Sequence, residues 1–162
     1  MTTHRRHIVL RAEPGVINVT PWGFHRYASQ FLRTARLVRS HAIRKFSPVP
    51  YYLYCHGIEL ILKAFLLTQG VAKSDLPKPT LRHDLDKILA RCKRHGLNAF
   101  VKIDVRQEDA IKKANAYYVA KGFEYFEIRN AARGYRDLPH LDDLDAVCTM
   151  LVRDLEAQCR NA

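Results

Sequence analysis

The sequence predicts an all-α protein, an up-and-down bundle of about five helices. Three observations predict it. Apolar residues recur at three- and four-residue steps in several separate stretches. Helix-start and helix-stop residues punctuate those stretches. No two runs of alternating apolar and polar residues make a convincing strand pair. The 162 residues, 48% of them apolar, suit one domain with one core.

Residues 1–19 read as an N-terminal arm, either flexible or a short hairpin with IVLR and VINV flanking EPG. Residues 20–160 read as a single helical domain. Thr20-Pro21 starts the first helix, with Thr as N-cap and Pro at the first position, where its missing N–H costs nothing. Phe24, Tyr27, Ala28, Phe31, Ala35 and Val38 then give it an apolar stripe to about residue 44. Ser47-Pro48-Val49-Pro50 breaks the chain before a second helix that ends near Gly70. Residues 71–80 form a loop. Leu81, Leu85, Ile88, Leu89 and Cys92 mark a third helix, with Arg91, Lys93, Arg94 and His95 at its negative end and Gly96 after it. A fourth, about 107–121, opens on Glu108 and Asp109 and stops at Gly122. Pro139, Asp142 and Asp143 start a last helix with Leu141, Leu144, Val147, Cys148, Leu151 and Leu155 on one face.

Composition narrows the function classes. No apolar run reaches the ~18 residues that span a bilayer, and the N-terminal apolar run is too short for a secretory signal, so the expectation is a cytoplasmic protein with no membrane partner. Cys55, Cys92, Cys148 and Cys159 are scattered, without the spacing of a disulfide framework or a zinc site. His4 and His7 form only a lone His-x-x-His among arginines. No metal and no cofactor is expected. Basic residues exceed acidic ones by eleven, and residues 1–50 hold nine basic residues against Glu13 alone. That basic third points to a polyanion, nucleic acid first, with Arg26, Arg33, Arg36 and Arg39 of the first helix as phosphate contacts. A solvated basic face is the bland alternative.

The second helix carries an oddity. In YYLYCHGIELILKAFLL, residues 51–67, Tyr52, His56, Glu59 and Lys63 fall within a sector of about 60° while the rest is greasy. The line is either the wet edge of a bundle helix or one wall of a site.

Three segments together resemble the HEPN superfamily of small helical bundles: the second-helix pattern LYxHxIELxLKAFLL, the element His83-Asp84-Leu85, and the late YFEIRNAARGYRDLP, residues 125–139. The resemblance covers roughly residues 22–158. It implies a ribonuclease-like motif of Arg, a polar residue and a following His, commonly paired across a homodimer and cutting RNA without a metal ion. Arg129 and Asn130 match the first two positions, whereas Gly134, Tyr135 and Arg136 occupy the window where the histidine belongs. Attack of a 2′-hydroxyl on phosphate needs a proton acceptor and a proton donor, and arginine, with a pKa above ~12, is neither.

The leading expectation is therefore a module that binds RNA or nucleotide phosphate through Arg129, Asn130, Arg133 and Tyr135, with weak or no ribonuclease activity. An active metal-independent endoribonuclease of toxin or defence type is the alternative, with His56 (or His83) as proton carrier beside Arg129 and Asn130. A dimeric interaction subunit for a neighbouring partner protein, using Tyr117, Tyr118, Phe123, Tyr125 and Phe126, is the third. Glu59 is expected to hold Arg129, with Lys63 on the same line, while His83 or Asp84 caps the third helix.

Overall fold

The computed structural model describes residues 19–41, 46–79, 81–125 and 134–162. All its regular structure is helical among the described residues, as the periodicity predicts. Helix α1, Pro21–Ser40, starts where expected, and the Thr20 hydroxyl accepts from the Gly23 amide at 3.0 Å. It buries His25, Ala28, Leu32 and Ala35. Helix α2, Val49–Thr68, is buried around most of its circumference, as befits a helix that is apolar nearly all round. Tyr54, Ile58, Ile61, Leu62, Phe65 and Leu66 are fully buried, each contributing about 1.5–3 kcal/mol of apolar transfer. At its end Gly70 takes φ +77°, letting the Val71 and Gly70 amides reach back to Leu66 and Leu67 carbonyls. That is the Schellman closure that glycine permits.

Helix α3, Leu85–Arg94, begins later than the apolar pattern suggests. Leu81 is buried in the preceding turn, and Asp84 is the N-cap, accepting from the Lys87 amide at 3.2 Å. Helix α4, Val105–Tyr118, starts earlier than Glu108, because Asp104 and Gln107 form a reciprocal capping box, and ends before Gly122. The last expected helix is two: α5, Leu141–Asp154, and α6, Glu156–Arg160, with a break at Leu155. Six α-helices stand among the described residues, in keeping with an all-α bundle of about five. No described helix is long and apolar enough to cross a membrane.

Helix α2 touches every other α-helix among the described residues, so the bundle is built around it. Across the bundle, Arg36 of α1 grips Asp145 of α5 with two hydrogen bonds, at 2.6 and 2.9 Å, and the Tyr54 hydroxyl donates to the same carboxylate at 2.9 Å. Arg39 reaches Asp142 at 2.6 Å. All four cysteines are buried thiols, and burial pushes Cys148 and Cys159 up to about 12. They are core residues, as their scattering predicts.

Candidate functional site

The polar line of α2 is not a wet edge. Glu59 is 2% exposed and Lys63 7%. Lys63 Nζ donates to Glu59 Oε1 at 2.5 Å, one turn along the same helix. Glu59 Oε2 accepts from the Tyr118 hydroxyl at the end of α4, at 2.5 Å, and from His83 Nδ1 at 3.0 Å. His56 Nδ1 lies 2.8 Å from the Tyr118 oxygen and 3.9 Å from Glu59 Oε2. One carboxylate thus gathers two imidazoles, a phenol and an ammonium.

Counting hydrogens fixes the tautomers. Tyr118 gives its single hydrogen to Glu59, so its oxygen only accepts from His56, and His56 Nδ1 bears a hydrogen. An ionised Glu59 only accepts, so His83 Nδ1 bears a hydrogen too. In its neutral form each ring therefore carries the lone pair on Nε2. The two side chains are 22% and 30% exposed, which keeps these rings within reach of solvent.

Electrostatics follow from the burial. Burial pushes the Glu59 carboxyl up, but the Lys63 charge and the hydrogen bonds from Lys63, Tyr118 and His83 outweigh it and hold the group below the usual carboxylate range. Burial, then the Glu59 charge, drives the Tyr118 phenol far above its ordinary value, so it stays protonated. Burial pulls His56 down, against a partial lift from Glu59, which favours a neutral ring at pH 7. Tyr52 stacks on the His56 ring at 5.6 Å and Phe31 of α1 meets it edge-on at 4.5 Å.

His83 is held under strain. Its φ of +54° lies in the left-handed region, which costs a non-glycine residue about 1–3 kcal/mol. Asn115 of α4, 4% exposed, over-determines the turn: its carbonyl accepts from the Leu85 amide, and its amide donates to Asp84 and Asp86. The Asp84 cap thus also positions the histidine beside it. Sequence reasoning missed Tyr118 as a network member and missed Asn115 altogether. The available signal was an asparagine in register with Ile111, Ala114 and Tyr118, on the core face of α4.

Arg129, Asn130 and Arg133 lie outside the described residues, as do Phe126, His4 and His7. Tyr135 is half-buried; its hydroxyl donates to the Gly122 carbonyl at 2.9 Å and its ring packs with Phe46, Tyr117 and Phe123. Of the other aromatics singled out, Tyr118 and Phe123 are buried and Tyr125 is 61% exposed. Arg36 and Arg39 are engaged with Asp145 and Asp142, whereas Arg26 and Arg33 carry no ion pair among the described residues. No three or more His, Cys, Asp or Glu side chains are placed to hold a metal ion among the described residues.

With lone pairs on Nε2, the two imidazole edges can accept from hydroxyl groups, and once protonated there they can donate to an anionic oxygen. Comparison with protein-family models, with curated proteins and with solved structures finds no match for this chain.

Proposed function

We propose that this chain is a HEPN-like module that engages the phosphate–ribose backbone of RNA or of a nucleotide, with His56 and His83 turned to the ligand. The observation that carries this reading is the shared anchor: Glu59, buried, holds one imidazole directly and the other through Tyr118. A buried ion pair and a strained histidine are costly to maintain for stability alone. The basic N-terminal third supports a polyanionic ligand. The Arg129-Asn130 pair begins four residues after Tyr125, and it is the expected phosphate hook on the strength of the resemblance.

One observation favours a second reading, cleavage of the RNA. The two rings differ in surroundings: burial favours the neutral form of His56, while His83 Nδ1 donates to the Glu59 carboxylate. In that reading His56 Nε2 takes the proton of the 2′-hydroxyl as its oxygen attacks the phosphorus. Protonated His83 then gives its Nε2 hydrogen to the departing 5′ oxygen, leaving a 2′,3′-cyclic phosphate and a free 5′-hydroxyl.

End-labelled single-stranded RNA, incubated in EDTA and run on a denaturing gel beside a filter-binding series, tests both readings. Binding that weakens in His56→Ala, His83→Ala and Arg129→Ala supports the module. Wild-type cleavage that these variants abolish adds the ribonuclease. RNA bound equally by wild type and all three variants refutes the site.

A further inference from the structure

A second feature lies on the other side of α1. Between the first half of α1 and the α5–α6 corner runs a cleft of about 380 Å3, lined by Trp22, His25, Arg26, Ser29, Arg33 and Glu156 among others. Arg26 and Arg33 stand two helical turns apart on one face, about 10 Å along the axis. Helical geometry places them about 140° and 160° around α1 from Phe31, the residue that touches His56, so they cannot serve the same phosphate as the imidazoles. The acidic member, Glu156, is already paired with Arg160 at 2.7 Å. That leaves both arginines free among the described residues, in contrast to Arg36 and Arg39 on the same helix.

The floor of the cleft supplies an independent observation. His25 is 4% exposed, and its Nε2 lies 2.8 Å from the Val152 carbonyl, to which it donates. Its Nδ1 is buried and has no hydrogen-bond partner. A buried acceptor left unmet costs about 1–3 kcal/mol, and a donor that enters as the floor of the groove opens would meet it. A ribose 2′-hydroxyl is such a donor, and two phosphates of one extended strand supply the anions for Arg26 and Arg33.

We propose that this groove is a separate binding track for single-stranded RNA, with Arg26 and Arg33 on two phosphates and His25 Nδ1 accepting from a ribose hydroxyl. It rests on the reading of the chain as RNA-directed, but not on the imidazole site. Trp22, the only tryptophan, lines the groove between the His25 ring at 4.9 Å and the Arg160 guanidinium at 4.8 Å. Its fluorescence therefore reports on occupancy.

The test titrates oligo(rU) and oligo(dT) of equal length into the full chain while following that fluorescence across a salt series. The proteins are wild type, Arg26→Ala/Arg33→Ala, the charge control Arg94→Ala/Lys102→Ala, and His56→Ala/His83→Ala. Two single-strand phosphate contacts scale as about the −1.4 power of salt, so the arginine double variant loses about 25-fold in affinity at 0.1 M relative to 1 M salt. The control and the imidazole double variant keep the fluorescence response, and oligo(dT) binds more weakly than oligo(rU). Binding that survives in the arginine variant but fails in the imidazole variant overturns the groove and leaves the imidazole site standing. No binding by any protein overturns both. Equal response to oligo(rU) and oligo(dT) overturns the His25 contact.

Discussion

Replacing Glu59 with Gln removes the charge at the centre of the network and keeps its shape. Lys63, with its side chain 9% exposed, then holds a buried ammonium with no counter-ion. Breaking a buried pair from one side costs about 3–5 kcal/mol, because the remaining charge is stranded. A glutamine carbonyl still accepts from one or two of the three donors, which places the loss near ~3 kcal/mol. In a domain of this size that lowers the melting temperature by about 6–12 °C. Urea unfolding followed by circular dichroism at pH 7 reads the loss directly. Its pH dependence has a defined sign. The folded Glu59 pKa is depressed, so its contribution is present above the unfolded value and fades as pH falls through the folded one. The gap between wild type and Glu59→Gln therefore holds above pH ~4.5 and narrows below it. Adding Lys63→Met to Glu59→Gln recovers part of the loss, since it removes the stranded charge. A Glu59→Gln protein within ~1 kcal/mol of wild type at pH 7 would falsify the account of Glu59 as a buried anchor.

Two further outcomes follow from the same geometry. Tyr118→Phe leaves the His56 Nδ1 hydrogen without its acceptor and costs about 1–3 kcal/mol; nitrogen NMR of wild-type His56 shows a neutral ring with the hydrogen on Nδ1 and a midpoint below ~6.5, and a mixed tautomer in Tyr118→Phe. Arg36→Ala releases a two-pronged hold on Asp145 that the buried Tyr54 hydroxyl also uses, and destabilises by about 1–2 kcal/mol in denaturant melts, where an isolated exposed pair gives under about 1 kcal/mol.

What the sequence made legible was local. Thr20-Pro21, Gly70 and Gly96 mark helix ends because capping involves residues a few positions apart. The sector shared by His56, Glu59 and Lys63 is visible for the same reason, since helical period alone puts them together. Their burial was not legible, because it is imposed by Tyr118 and His83, 59 and 24 residues from Glu59. Arg36 and Arg39 looked like outward charge because they avoid the apolar stripe. Their partners, Asp145 and Asp142, are 109 and 103 residues away, and no local pattern announces them. Tyr118 sat inside an aromatic run where a phenol in a polar network reads no differently from a core ring.

Gly57 shows the same limit from the packing side, and it links the core to the imidazoles. A glycine in mid-helix costs about 1 kcal/mol relative to alanine, so α2 carries it for a reason. A Cβ there would sit 3.2 Å from Cys148 Sγ, and 3.5 Å from both the Ala28 carbonyl oxygen and Phe31 Cβ. The missing side chain is what lets α1 and α5 close on α2, and Phe31 is the residue that meets the His56 ring. Gly57→Ala therefore gains about 1 kcal/mol of helix propensity and loses about 1–3 to overpacking, a net change between zero and a loss of about 2 kcal/mol. Cys148→Ala alone empties a fully buried site and also destabilises. Together they compensate, because the new methyl occupies the space the sulfur leaves. The double variant should be more stable than the sum of the singles by about 1–2 kcal/mol, a coupling expected only of residues in contact. Urea melts of the four proteins measure it, and His56 ring resonances should move in Gly57→Ala and return toward wild type in the double variant. Additivity within about 0.5 kcal/mol would mean that Cys148 does not set the approach of these helices, and that the His56 environment is fixed by α2 and α4 alone.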